Sequence, residues 1–174
     1  KVNPVVTQCF DQKDNDGDGK IDYPADTGCT SITDNDENNA PTITVLGDNP
    51  LTLTIGGIFT DPGATASDPE DGNITTSIIK TGTVNTSAVG TYTITYNVKD
   101  KEGISAPTKT RTVIVTSQCS DGKDNDGDGK IDFPADAGCT NPNDDTENQA
   151  PVLTLLGDAI MNISTNSAFT DPGA

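Results

Sequence analysis

The 174-residue chain has no histidine, no tryptophan, a single methionine and only 4% aromatic residues. Without imidazole there is no histidine general base, no Ser-His-Asp triad and no histidine-bearing zinc site, so much of hydrolytic chemistry is excluded. Cationic residues are scarce too: 10 Lys+Arg face 27 Asp+Glu, for a net charge of −17. A polyanion of this strength repels nucleic acid and anionic lipid, and its natural partners are cations or basic proteins. No apolar run approaches the ~18 residues a membrane helix needs. None of the GxSxG, HExxH or phosphate-loop patterns is present either. The expectation is therefore a non-enzyme with no nucleic-acid partner and no membrane span in this segment.

What the chain does contain is concentrated acid. Residues 9–39 carry 9 acids and 2 lysines, residues 119–149 carry the same, and residues 40–118 hold 7 acids and 5 bases. The two acidic modules are copies at an offset of 110. The copying continues through Ala40-Pro41 against Ala150-Pro151 to residues 60–64 against 170–174, giving 33 identities in 56 positions. An ungapped period that starts and stops partway through a unit reads as a piece of a longer tandem array.

Each module carries a recognisable ligand pattern. Asp14, Asp16 and Asp18 followed by Gly19 match positions 1, 3, 5 and 6 of an EF-type loop, in which alternating carboxylates converge on one hard cation and glycine makes the turn. Lys20 would add its carbonyl and Asp22 would stand at position 9. The bidentate Glu of position 12 is missing, since Ala25 stands there, and Asp26 is the nearest substitute. Pro24, Gly28 and the lack of a flanking 3.6-residue apolar period argue against EF helices. The second copy offers Asp124, Asp126, Asp128, Lys130, Asp132 and Asp136. The expected cofactor is Ca2+.

Cysteines bracket both loops. Four cysteines allow three pairings, of which Cys9 with Cys29 and Cys119 with Cys139 is the simplest. A bridge closing such a loop is worth about 3 kcal/mol in the chain-entropy picture. Oxidised cysteines imply a compartment outside the cytosol. A zinc site on the same cysteines is disfavoured by the absence of CxxC spacing and by the hard carboxylates around them.

The pattern C-x-D-x-x-D-N-D-G-D-G-x-I-D-x-P-A-D-x-G-C resembles the disulfide-framed, aspartate-rich calcium modules of secreted bacterial proteins and, more distantly, thrombospondin type 3 repeats. The resemblance implies calcium ligation by the loop aspartates. It adds Asp11 and Asp26, with Asp121 and Asp136, as further candidates. Downstream, Asp34, Asp36 and Glu37, with Asp144, Asp145 and Glu147, can serve the same ion, a second ion, or solvation alone.

Residues 40–118 change character, being rich in Thr, Val, Ile and Gly with period-2 alternation. Strands are expected at 42–46, 51–55, 74–80, 91–98 and 109–116, with Tyr92, Ile94, Tyr96 and Val98 on one face. Short strands at this spacing suit an all-β, immunoglobulin-like β-sandwich flanked by irregular, disulfide-closed calcium loops. The segments 59–75 and 89–103 resemble bacterial surface immunoglobulin-like repeats related to hyalin and polycystic-kidney-disease domains, which implies a secreted spacer or stalk module. The expected division is 1–8 as the tail of a preceding sandwich, 9–39 and 119–149 as calcium modules, 40–118 as a sandwich, and 150–174 as the first strands of another.

In such a sandwich the entering chain shares an end with the loops carrying Asp68, Glu70, Asp71, Asp100 and Glu102. Asp68, Asp71 and Asp100 can therefore face Asp34, Asp36 and Glu37 across a shared ion, or the Asp-Pro and Asp-Gly pairs can simply make turns. The functional expectation is a structural repeat of an extracellular or cell-surface fibre, stalk or adhesin, stiffened by Ca2+ at its junctions. Its partners would be neighbouring repeats of the same protein, a homopolymer filament or a surface ligand. The alternative is a non-catalytic calcium-binding appendage, or a partner-docking module, of a secreted hydrolase.

Overall fold

The computed structural model describes residues 6–157, 160, 162–171 and 173. The chain divides into two compact units, Lys1–Thr116 and Ser117–Ala174. The first contains one acidic module and a complete β-sandwich; the second contains the other acidic module and the residues after it. Residues 1–5, most of the expected tail of a preceding sandwich, lie outside the described residues.

Among the described residues, seven strands build the sandwich: β1 (Thr42–Val45), β2 (Leu51–Thr54), β3 (Ala64–Asp68), β4 (Gly72–Asn73), β5 (Ile79–Thr81), β6 (Gly90–Asn97) and β7 (Lys109–Thr116). One sheet has the order β1-β3-β4 and the other the order β2-β7-β6-β5. All pairings are antiparallel except β2 with β7, which run parallel. The fold is the expected all-β, immunoglobulin-like sandwich. Alternation decides which side faces inward, because successive side chains of a strand point to opposite faces. On β6 and just beyond it, Ile94, Tyr96 and Val98 are buried, and on β7 so are Arg111, Val113 and Val115. Ile43 and Ala66 from the facing sheet close the core, with Ala106 and the partly buried Phe59, Ile74 and Ile78 around it.

Two strand expectations shift. Of 74–80 only Ile79 and Lys80 pair, because Thr75–Ser77 form a 3₁₀ turn pinned by the Thr75 hydroxyl to Ala66. Ala64–Asp68, too small and polar to announce itself by β propensity, becomes a strand by pairing with β1, placing Ala66 and Asp68 inward. In the second unit the described residues of 150–174 form no strand and all are exposed. The long-range backbone bond from Leu46 N–H to the Gly63 carbonyl at 3.0 Å is repeated from Leu156 to Gly173 at 3.1 Å. The partner that makes β1 a strand is Ala64–Asp68, however, and only Ala174 corresponds to any part of it.

A buried ion pair ties the sheets together. Arg111 is fully buried on β7, and its guanidinium donates to Asp61 Oδ1 at 3.1 Å and to the carbonyls of Leu46 and Asp48. These carbonyls lie in the crossover by which the chain passes from β1 to β2, so one side chain satisfies backbone that the sheets leave unpaired. Tyr96 Oη donates to the same Asp61 oxygen at 2.6 Å, and Lys80 Nζ stands 3.3 Å from the other. The repeated pentapeptide 60–64 thus has a folding role centred on Asp61. Burial pushes the Asp61 carboxyl up, but the Tyr96 hydroxyl, the Gly63 N–H and Lys80 outweigh it and hold the group below its ordinary 3.8.

Two outcomes are expected. Arg111→Met leaves Asp61 buried beside a weaker partner, and urea unfolding followed by tyrosine fluorescence should show a loss of about 3–5 kcal/mol. Because the folded Asp61 pKa is depressed, its contribution is fully present above the unfolded value of 3.8 and is lost as pH falls through the lower folded value. Asp61→Asn should therefore flatten the decline of stability below about pH 4 that the unsubstituted protein shows.

Candidate metal centre

The first acidic module has almost no apolar core. Its centre is the Cys9–Cys29 disulfide, with Cα atoms 5.7 Å apart, together with the buried carboxylates of Asp26 and Glu37. Glu37 organises the fold of the loop: Oε2 accepts the Asn15 N–H at 2.6 Å and Oε1 the Asp22 N–H at 3.3 Å. The second module repeats this, with Cys119 joined to Cys139 and Glu147 accepting the N–H of Asn125 and, at 3.1 Å, that of Asp132. Gly28 is required by the same packing. A Cβ there would lie 1.4 Å from the Glu37 carbonyl oxygen, and one on Gly138 would lie equally close to Glu147.

The loop aspartates converge. One carboxylate oxygen from each of Asp14, Asp16 and Asp18 lies within 4.8 Å of the others, and Asp124, Asp126 and Asp128 form the same group. Gly17 and Gly19, both at positive φ, turn the backbone so that the alternate carboxylates share one side. Oxygens on opposite sides of a calcium ion at 2.3–2.6 Å stand about 4.6–5.2 Å apart, so the spacing suits a hard cation. The carboxylates also take N–H bonds from their own loop: Asp14 from Gly17 and Gly19, Asp16 from Asp18, and Asp18 from Lys20. Lys20 Nζ lies 2.6 Å from Asp18, a cation already drawn to the group.

The other candidates divide. Asp26 is almost wholly buried; Oδ1 accepts the Gly28 N–H at 2.7 Å while Oδ2 has no donor, and Asp136 repeats both features. A buried carboxylate oxygen without a donor is costly unless a cation meets it, and the neighbouring groups able to ligate one are carboxylates. These features fit Ca2+. Asp22 and Asp132 are placed differently: both oxygens of each accept backbone N–H groups, from Asp11 and Gln12 and from Asp121 and Gly122, which closes a turn. Asp11 binds Lys13 and the Asn15 side chain, and Asp121 accepts the Lys123 N–H. Cysteine sulfurs lie beside Glu37 and Glu147, but disulfide sulfur is no thiolate ligand.

Of the residues considered for a second ion, Asp34 and Asp144 bind the N–H and hydroxyl of Thr30 and Thr140. Asp71 pairs with Lys101, and Asp36 accepts the Asn38 N–H. Asp145 is exposed. The module meets the sandwich through two asparagines instead: Asn38 Nδ2 donates to Asp100 at 3.1 Å and Asn39 Nδ2 to Glu70 at 2.8 Å. Asp100 also caps the Gly103 and Ile104 N–H groups, and Asp68 those of Glu70 and Asp71. Glu70, which the sequence places on an acidic loop without marking it as a ligand, touches the module directly. Its only sequence signal is the Asp-Pro-Glu-Asp-Gly turn that carries it.

Residues 43–115 match the family model described as "Bacterial surface protein, Ig-like domain". A search of curated proteins finds no match. Among solved structures, the lipoprotein BT2262 from Bacteroides thetaiotaomicron is 32% identical over 44% of this chain and 37% of its own, with a TM-score of 0.39. The CBM51-2 and INT domains of ZmpB from Clostridium perfringens, in complex with GlcNAc, are 29% identical over 44% of this chain and 16% of theirs, with a TM-score of 0.36. The chain thus spans well under half the length of either structure.

The close approach at Gly28 gives a direct test of the frame. Gly28→Ala should cost about 1–3 kcal/mol by overpacking. It should appear as faster amide exchange at Asn15 and Asp22 while the β6 and β7 amides stay protected.

Proposed function

We propose that the chain is a non-catalytic structural segment of a bacterial surface protein, in which each disulfide-closed loop binds Ca2+ and so stiffens the acidic stretch next to a sandwich. The observation that carries this reading is the recurrence, in two separate modules, of three converging loop carboxylates, each module also holding a buried Asp oxygen that lacks a donor. The match of 43–115 to a surface immunoglobulin-like domain supports a location outside the cell, as do the two disulfides.

The physical role of the ion follows from charge. Nine acids in 31 residues repel one another, and a loop rich in Gly, Asn and Asp has little apolar surface to resist that repulsion. A divalent cation offsets the repulsion and fixes the loop, so binding free energy becomes folding free energy. Extracellular modules commonly bind calcium at about 10⁻⁴ to 10⁻³ M. At a hundredfold excess over the dissociation constant each site adds about 2.7 kcal/mol. A strut of this kind serves a fibre, stalk or adhesin.

Calorimetric titration of the chelator-stripped full chain should give saturable calcium binding in that range. Asp14→Asn with Asp18→Asn should abolish one loop's binding, and Asp124→Asn with Asp128→Asn the other's. Small-angle scattering should show a shorter, more variable chain in chelator. Absence of binding, or binding that leaves both scattering and amide protection unchanged, would reduce the modules to solubilising linkers.

A further inference from the structure

The loop at 14–18 does not exhaust the converging acids of the first module. One carboxylate oxygen each of Asp16, Asp26 and Glu37 lie within 4.8 Å of one another, a group that shares only Asp16 with the loop set of Asp14, Asp16 and Asp18. Asp26 and Glu37 are each 1% exposed, whereas Asp14 faces solvent, so the second group lies inside the module and the first at its surface. Asp16 Oδ2 and Asp26 Oδ2 are both buried and neither has a hydrogen-bond donor. The Glu37 oxygens take the N–H groups of Asn15 and Asp22, which leaves each a second lone pair. Lys20 is the protein cation that feels the Asp26 charge, but its ammonium donates to Asp18 at 2.6 Å and leaves Asp26 Oδ2 unmet.

A polar cavity of about 190 Å³ adjoins the group. Asp16 and Glu37 line it with Gln8, Asn15, Asn38 and Glu102, and Asn38 Oδ1 is another buried oxygen without a donor. Such a space can hold the waters with which calcium completes its six to eight oxygen ligands. The second module repeats the inner pair, with Asp136 and Glu147 in one group, but among the described residues no group joins Asp126 to them. The complete three-acid group is therefore found in the first module.

We propose that the first module holds a second Ca2+ inside the fold, with Asp16, Asp26 and Glu37 as its protein ligands and Asp16 bridging it to the ion of the loop at 14–18. The spacing of the three oxygens is that of ligands around one calcium ion, and three carboxylates select a hard cation over softer metals. Charge points the same way. Two divalent ions together with Lys20 balance the charge of Asp14, Asp16, Asp18, Asp26 and Glu37, and one ion does not. The inner ion ties the chain on both sides of Cys29 to the loop, so its binding free energy is added to the folding of the module. The inference rests on the calcium reading of the loops and adds a separate claim about Asp26 and Glu37.

The test is calorimetric calcium titration of the chelator-stripped full chain with and without Asp26→Asn. This substitution keeps an oxygen for the Gly28 N–H and leaves Asp14, Asp16 and Asp18 in place. Expected is the loss of one ion per chain, or a weakening of one site by about tenfold or more, with both loop sites retained. Conversely, Asp14→Asn with Asp18→Asn should leave the first module one ion, held by Asp16, Asp26 and Glu37. Amide exchange at Asn15 and Asp22 gives a second readout, with the β6 and β7 amides as the control for an intact sandwich. In chelator Asp26→Asn should slow that exchange, since it removes an enclosed charge and supplies a donor to the neighbouring acids, and in saturating calcium it should speed it. A merely structural Asp26 would move both in one direction. Unchanged stoichiometry and affinity with Asp26→Asn, or loss of all binding by the first module with the loop pair substituted, overturns the inner ion and leaves the loop sites standing. If the unsubstituted chain binds no calcium, the calcium reading of the loops fails as well.

Discussion

A buried carboxylate must be met by donors or by a cation, and this constraint shapes the acidic modules. Glu37 shows the first solution: its two oxygens take the N–H groups of Asn15 and Asp22, drawing both ends of the aspartate loop to one point. With the disulfide behind it, this replaces the hydrophobic core that a module of this composition cannot build. The loop carboxylates are then presented as a group on a fixed frame. Asp26 shows the second situation, a buried oxygen with no donor in reach, and the order of the module depends on how that demand is met.

The sandwich solves the same problem with a protein cation. The side chain of Asp61 is only 5% exposed, yet Arg111, Lys80 and Tyr96 surround it, and its carboxyl is held below the ordinary value. Arg111 also satisfies the carbonyls of the β1–β2 crossover, so its charge is used by two partners at once. For Asp16 and Asp68 burial is the largest influence, and both carboxyls shift the opposite way. Within one unit, then, enclosed carboxylates differ in how far the groups beside them offset burial.

Much of this was legible in the sequence, for identifiable reasons. Period-2 alternation placed β6 and β7, since burial follows alternation wherever one face is packed. Cysteine spacing made the local pairing the simplest reading, and the structure has it. The D-x-D-x-D-G spacing brought the three loop acids together because their convergence is local. Long-range contacts were less visible. Ala64–Asp68 is a strand only through its partner, and Glu37, 22 residues from the Asn15 amide it accepts, lies outside any short motif. Asp22 sat at a ligand position by count, but its left-handed backbone, at φ 52°, turns its carboxylate towards Asp11 and Gln12.

The two modules show how a repeated sequence can acquire unequal properties. Cys, Asp, Gly and Glu frame positions are identical between them, and the hydrogen bonds around Glu37 and Glu147 coincide. Where they differ, context accounts for it. Gln12 holds a positive φ that its counterpart Gly122 adopts at no steric cost. Asp16 is met by the Glu70 loop of a folded sandwich, whereas the described residues that follow the second module form no strand. Enclosure lowers the local dielectric, which strengthens both the repulsion between carboxylates and their attraction for a cation. On the proposed calcium reading, a module packed against a sandwich would therefore gain more from the ion than one that meets no strand.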